Sequence, residues 1–532
     1  MEIIYKNHGL KTTQNHNRIK LTAALFTALL LALLLTGCGG GSKAEDDGNP
    51  VVPPPAVEPP PRVAASVLKA CNSGDLTDLK KEYMWNDPAA GAKVHCRFVS
   101  VTGKGKMDGS SWEDAYSVSA LRDLGNNGPT DVTADAAADN IYIYVVRAGV
   151  YTPTADKNKR DVSFNLRSYV AVIGELEGKT VFSGDIDGDG TKNGNSIHVF
   201  YSEYTNYSLL ADATVTAGNA DGATSNSGGG GVRFQTSIIT VSRVIIKGNS
   251  ASGGGGGFYC TVFNPADKRF SPTLNDVTIS ANSAGEYGGG LYTASYCTMT
   301  LNRITISANF AGKKGGGMAI SDLTYPVLFN VTVSGNSATE SGGGIFVVAP
   351  SLPRMYGVTI INNTSKSGGG MFIANSKPTT LVNSILWGNT ATASTGNQIE
   401  FSGNKDVTLS HVILQGGTDG ILNPSNSTIK QRLIYTVDPG LSPLAKNGGF
   451  VESAAIGAGS PAINAGLYVR LTADNTLYYS SDNSTWHDNP LLNSAVNAAT
   501  ADAATPVTTD ARGYGFVDEP DIGAYEYGGT AP

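Results

Sequence analysis

"ISANSAGEYGGGLY", Ile279 to Tyr292, returns as "ISANFAGKKGGGMA" from Ile306, "VSGNSATESGGGIF" from Val333 and "IINNTSKSGGGMF" from Ile360. An apolar pair, an asparagine and a glycine triplet recur while the residues between them drift. The asparagines Asn249, Asn282, Asn309, Asn336, Asn363 and Asn389 keep a spacing of 27 residues through the middle, opened by one of 33 and closed by one of 26. A flexible glycine linker holds no such register, so the period is that of a solenoid.

Three residues before each asparagine stand Ile246, Ile279, Ile306, Val333, Ile360 and Leu386; five before it stand Val244, Val277, Ile304, Val331 and Val358, with Ser384 breaking the column. Alternate positions share one face of a strand, so both columns are expected to point inward. Thr278, Thr305, Thr332 and Thr359, between them, are expected to face out. One strand per repeat, stacked about 4.8 Å above its equivalent, gives parallel sheets buried on the inside. The asparagine is expected at the turn, tolerating a left-handed backbone and stacking its amide on its neighbours. The glycines are expected to supply positive φ and close approach of the next turn. Glu286, Lys313, Glu340 and Lys366, each two residues before a triplet, predict an alternating surface ladder of charge.

At the start, Lys6, Lys11, Arg18 and Lys20 precede an apolar run from Leu21 to Leu35 that ends in "LTGC". This is a signal-peptide pattern, shorter than a membrane span. "GNPVVPPPAVEPPPR", Gly48 to Arg62, is an extended polyproline spacer. The chain carries 38 Lys+Arg against 45 Asp+Glu, a net charge of −7. Loss of a basic leader makes the remainder more acidic, which excludes nucleic acid as a partner. Cys71, Cys96, Cys260 and Cys297 form an even set in an oxidising compartment. The pairs Cys71 with Cys96 and Cys260 with Cys297 are expected disulfides, with buried thiols as the alternative.

"LTGC" resembles the lipobox of bacterial lipoproteins, which implies lipidation of Cys38 and, with Gly39 following, anchoring in the outer membrane, with display at the cell surface. The repeats resemble the right-handed parallel β-helix proteins of the pectin-lyase-like superfamily, particularly the polymorphic outer-membrane-protein type, with Gly where that type has Ala. "GSSWEDAY" at Gly109 and "IYIYVVRAGVYTPT" at Ile141 look like the opening coils of bacterial β-helix surface proteins. "GSPAINAG" at Gly459 and "TDARGYGFVDEPDIGAYEY" at Thr509 resemble a C-terminal choice-of-anchor Q domain. The fold implied is all-β, a right-handed parallel β-helix with a small N-terminal helical cap and a C-terminal cap. Its expected divisions are a signal peptide over 1–37, a tether over 38–62, a cap over 63–97, the helix over 98–435 and a Q-like cap over 436–532.

Signals for chemistry are few. "DIDGDGTKN" places Asp185, Asp187 and Asp189 in the alternating order of a calcium loop, with Asn193 as a further ligand, although Ser196 stands where a glutamate is expected. An Asp/Gly turn without metal is the plain alternative. Hydrolases and lyases on this fold need converging carboxylates or a basic group beside them, and the repeats hold few acids at fixed outward positions. The early coils, with Glu175, Glu177, Asp185 and Asp187 near Arg167 or Lys179, are where such a group could assemble. His95, His198, His411 and His487 are scattered and read as surface or packing residues. Two ligand-binding candidates remain: the loop carrying Lys268, Arg269 and Phe270, and the hairpin "YYSSDNSTW", whose Tyr478, Tyr479 and Trp486 are expected to be exposed for stacking on sugar rings. The expected function is an adhesin-like module recognising glycan or another surface, with a polysaccharide lyase or glycoside hydrolase as the alternative.

Overall fold

The computed structural model describes residues 62–529 apart from 86–90, 123, 125–138, 223–225, 265, 267–269, 349, 375–378, 404–405, 424–427, 472–476, 492–504, 513–515, 517–518 and 527. Cys38, Lys268 and Arg269 lie outside the described residues. Three stacks of parallel strands build a β-helix. The long sheet has 14 strands, running from Lys93–Val99 to Ile429–Tyr435. A second has nine, from Phe200–Glu203 to Ile421–Leu422, and a third has seven two-residue strands from Asn219–Ala220 to Thr390–Ala391. Register matches the repeat: Val277, Ile304, Val331 and Val358 stack in one column, and Ile279, Ile306, Val333 and Ile360 in the next. All eight are fully buried.

The asparagine and glycine columns show what each fixed point of the repeat does. Asn309 Oδ1 accepts from Asn282 N at 3.0 Å and Asn282 Nδ2 at 3.1 Å, while its own Nδ2 donates to Ile279 O and Asn336 Oδ1, both at 2.9 Å. The same pattern runs from Asn249 to Asn389, where Gln398 accepts the last amide. The left-handed residue is the one before the asparagine, not the asparagine as expected: Ala281, Ala308 and Asn362 have φ near +54°, with Gly335 and Gly388 in equivalent places. The asparagine must keep an extended backbone so that its amide points into the coil and caps orphan peptide groups. In the triplets the first glycine has positive φ, and a Cβ on the second would sit on carbonyls of the next turn, 2.3 Å from Phe310 O at Gly289.

Most of the threonine column does not face solvent. Thr305 and Thr332 are fully buried, Thr359 nearly so and Thr278 half-buried, because the described segments between Gly440 and Glu526 lie along the outer face of the long sheet. Thr305 Oγ1 donates to Glu452 O at 2.5 Å, Asn330 Nδ2 to Thr509 O at 2.6 Å, and Thr359 Oγ1 accepts from Ala524 N at 3.0 Å. An antiparallel sheet of Tyr468–Leu471, Leu477–Ser480 and Thr505–Val507 belongs to this cover. Its Val469, Leu477 and Tyr479 pack on Val327, Phe329, Tyr356 and Val382. The hairpin aromatics expected to be exposed are therefore buried: Tyr478 at 8%, Tyr479 and Trp486 at 3%. Asp482 caps the hairpin turn through Ser484 N and Thr485 N at 2.9 and 2.8 Å.

The first turns are covered on the same face by α1 (Ala65–Ser73) and α2 (Thr77–Tyr83), whose Val67, Leu79 and Tyr83 meet Ile141, Ile173 and Leu209. A Cys71–Cys96 disulfide, Cα–Cα 5.5 Å, ties α1 to the first strand. Cys260 and Cys297 are joined inside the coil, Cα–Cα 6.0 Å. From Ser208–Thr216 onward each strand of the long sheet carries one left-handed residue, and the first four alternate in charge: Asp212, Arg243, Asp276 and Arg303. Arg243 grips Asp212 with two bonds of 2.8 and 2.7 Å, and Arg303 grips Asp276 with two of 2.7 Å.

Candidate functional site

With the long sheet covered, the outer face of the nine-stranded sheet is where side chains are presented in register. Most of its strands leave a glycine run, and all alternate, so the second residue of each points out. Tyr201, Arg233, Tyr259, Tyr292, Ala319, Phe346 and Phe372 follow one another up this column. At about 4.8 Å per turn the stripe is roughly 29 Å long. Tyr259 and Tyr292 meet edge to face at 5.4 Å, Tyr287 packs on Tyr292 at 5.9 Å, and Phe346 and Phe372 stack at 5.8 Å. Arg233 lies over the Tyr259 ring at 5.1 Å and Lys314 over Phe346 at 5.2 Å. Ala319, itself buried, separates the two aromatic groups; Phe346 is buried at 5%, while Tyr201, Tyr259, Tyr292 and Phe372 are half-buried.

The rings lie down because glycines of the preceding turn make room. A Cβ on Gly254 would stand 2.3 Å from Tyr292 Cδ1, and one on Gly228 3.1 Å from Tyr259 Cδ2. Burial pushes the Tyr259 phenol up, and lifts those of Tyr201 and Tyr292 to about 12, with Glu203 adding to the effect at Tyr201. At neutral pH they stack and hydrogen-bond as neutral phenols: Tyr201 donates to Glu203 Oε2 at 2.9 Å, and Tyr292 Oη lies 2.8 Å from Ser321 Oγ. Arg233, lowered by burial yet still charged, donates to Gly228 O at 3.3 Å. With the Gln235 amide oxygen turned toward it, Arg233 also donates through Nη2 at 3.0 Å and Nε at 2.7 Å. Glu400, at the top of the column, is committed to Gly368 N at 2.9 Å and Ser394 Oγ at 2.6 Å.

The residues singled out from the sequence fall elsewhere. Asp185, Asp187 and Asp189 do converge, each offering a carboxylate oxygen within 4.8 Å of the others, and Asn193 is exposed nearby in the chain. Asp185 is engaged by Gly188 N and Gly190 N at 2.9 and 3.2 Å, so the loop is shaped by its own backbone. The donor set, hard oxygens on a tight turn, fits calcium. Phe270 is half-buried. Glu175 lies 4.0 Å from Arg147, away from the aspartate loop. Of the charge ladder, Lys313 reaches Glu286 at 2.5 Å, but Glu340 is approached by Lys314 at 3.9 Å. His198, read as a packing residue, is buried beside Tyr201, their rings stacked at 5.8 Å. The stripe itself was written in the repeat as "GGGFY", "GGGLY", "GGGIF" and "GGGMF", an aromatic at a fixed place after four glycine runs, with Ala319 in "GGGMA" and Arg233 in "GGGVR" standing at the same place in two others.

Comparison with known proteins gives a match of residues 271–411 to the family described as "Right handed beta helix region". No curated protein matches the chain. Among solved structures, the chain is similar to pectate lyase Pel9A at 14% identity, covering 84% of this chain and 99% of that one, with a TM-score of 0.43. It is similar to PfbA, a surface adhesin of Streptococcus pneumoniae, at 9% identity over 64% and 92% of the two chains, TM-score 0.21. A mannuronic acid specific polysaccharide family 6 lyase from human gut microbiota is 13% identical over 55% and 77%, TM-score 0.19. The family match and the stacked register agree on the architecture: the chain folds as a right-handed parallel β-helix.

Proposed function

We propose that this chain is a surface-displayed binding protein, held in the outer membrane through a lipid on Cys38, that receives a glycan along the stripe from Tyr201 to Phe372. The observation that carries the reading is the register itself. The half-buried rings of Tyr201, Tyr259, Tyr292 and Phe372 stand in one register on the outer face, along the axis on which a polymer would repeat, and their exposed parts offer apolar surface to the C–H side of a sugar. Within the column the phenols are held protonated, and Glu400 Oε2 accepts from Gly368 N and Ser394 Oγ.

The test is affinity electrophoresis of the purified domain against a panel of neutral and acidic polysaccharides. Tyr259→Ala with Tyr292→Ala is expected to weaken binding about tenfold or more, each ring contributing on the order of 1 kcal/mol. Retention unchanged in the double variant refutes the stripe. Reducing ends or unsaturated products, released by wild-type protein and lost with these side chains, would move the reading to a polysaccharide-cleaving enzyme.

A further inference from the structure

At its N-terminal end the stripe runs into a cavity of about 360 Å³. The Phe164–Phe200 bridge sets Asn165 in line below Tyr201, and the segment Asp161 to Asn165 forms one wall. Tyr201 and His198 form another, their rings stacked at 24°. Asp161, Asn165 and Asn226 line the space and make no side-chain hydrogen bond among the described residues. Arg122 is committed to Thr152, through Nε to the carbonyl at 2.8 Å and through Nη2 to Oγ1 at 3.0 Å.

His198 supplies a second observation. It is 5% exposed, and its Nδ1 lies 2.8 Å from Gly229 O on the following turn, so the ring proton sits on Nδ1. Nε2 then presents only a lone pair, and it is buried without a partner among the described residues. Nδ1 faces the following turn, so Nε2 is turned away from it. Burial lowers this imidazole to about 4, which keeps it neutral at pH 7, so the wall it forms with Tyr201 carries no charge.

We infer that this cavity is a pocket for one neutral, hydroxyl-rich ring, the terminal sugar of a glycan whose chain lies on the stripe. The last clause rests on the function proposed above; the pocket itself does not. Its volume is in the range of small-ligand sites. The Tyr201 face takes the apolar side of the ring. The uncommitted carboxylate and amides take neighbouring hydroxyls, with amides able both to donate and to accept. The His198 ring, stacked behind Tyr201 and uncharged, backs this wall. Asp161 on the rim disfavours an anionic sugar, and Arg122 is already engaged.

Saturation-transfer NMR with free hexoses, hexosamines and pentoses tests the pocket without any polymer. At least one neutral sugar is expected to receive saturation, and Asn165→Ala or Asp161→Ala, both at surface positions that leave the fold intact, to weaken it about tenfold. Tyr292→Ala, two turns beyond Arg233 on the stripe, is expected to leave that signal unchanged while it weakens polymer binding. Absence of transfer from every sugar, or transfer that survives Asp161→Ala with Asn165→Ala, overturns the pocket whatever the stripe does. Loss of polymer binding alone on changing Tyr259 and Tyr292 tells against neither. A wild-type protein that binds monosaccharide but no polymer keeps the pocket and removes the stripe.

Discussion

Asn309→Ala removes an interior rung of the amide ladder. Four bonds go with it: two received from Asn282, and two given to Ile279 O and Asn336 Oδ1. Asn336 Oδ1 keeps a donor, the Asn309 backbone N–H at 2.9 Å, and Asn282 Nδ2 keeps Ile246 O at 3.0 Å. The backbone N–H of Asn282 and the Ile279 carbonyl each lose a partner in a site that solvent does not reach. At about 1–3 kcal/mol for each buried group left unmade, the expected loss is about 2–6 kcal/mol. Asn309→Asp separates hydrogen bonding from volume. It keeps the oxygen that Asn282 needs but turns a second oxygen toward Ile279 O and Asn336 Oδ1, so it is expected to be at least as destabilising at pH 7 and to recover partly on acidification. Thr390→Ala, at an exposed position beside the ladder, should change stability by less than about 0.5 kcal/mol. Urea unfolding followed by circular dichroism reads all three as shifts in midpoint at constant slope. If Asn309→Ala costs no more than Thr390→Ala, or Asn309→Asp matches wild type at neutral pH, the ladder does not hold the turns together.

Three further outcomes are expected. Below pH 6.5 the unfolded His198 takes a proton that the folded one refuses until about pH 4, so stability present at neutral pH falls across that window. The loss approaches about 3 kcal/mol, His411 adds in the same direction, and a melting temperature constant from pH 7 to 4 contradicts it. Arg243→Met strands the buried Asp212 carboxylate with only the Tyr83 hydroxyl, 2.5 Å away, and should cost about 3–5 kcal/mol, with Asp212→Asn added to it recovering part; no recovery means the ion pair was not the cause. Calcium is expected to raise the melting temperature through Asp185, Asp187 and Asp189, by about 2.7 kcal/mol at a hundredfold excess over Kd, and Asp187→Asn to abolish the rise; a melting curve indifferent to calcium and chelator removes the site.

The inward columns, the asparagine ladder and the glycine contacts were legible in the sequence because every turn meets the same environment, so one period states the requirement many times. The covered threonines were not. Thr305 and Asn330 receive their partners from Glu452 and Thr509, 147 and 179 residues away, and nothing local in "VTIS" records that encounter. The same distance hid the burial of Tyr479, whose neighbours Phe329 and Tyr356 lie on other turns. The aromatic stripe was legible in principle, since a ring stands at the same place after four of the glycine runs. The triplets act on the backbone and also seat side chains of the next turn, and the first role masks the second. The His198 cavity has no sequence signature: it joins residues 122, 161–165, 197–201 and 226 through irregular early coils.

A stack of repeats joined only to nearest neighbours would come apart from its ends, one coil at a time. Two splints prevent that here. From the N-terminal side, α2 and the residue after it reach across Asp212 and Arg243 to Arg303, where Met84 Sδ receives Nη2 at 3.8 Å. From the C-terminal side, the cover fastens Thr305, Asn330, Thr359, Asn383 and Ser410 in turn. The splints meet on one strand, Thr300–Ser307. A pull on either end is thereby shared along the axis, and the coils beneath should yield together or not at all, which suits a rod that must hold its shape while its load is applied at a distance.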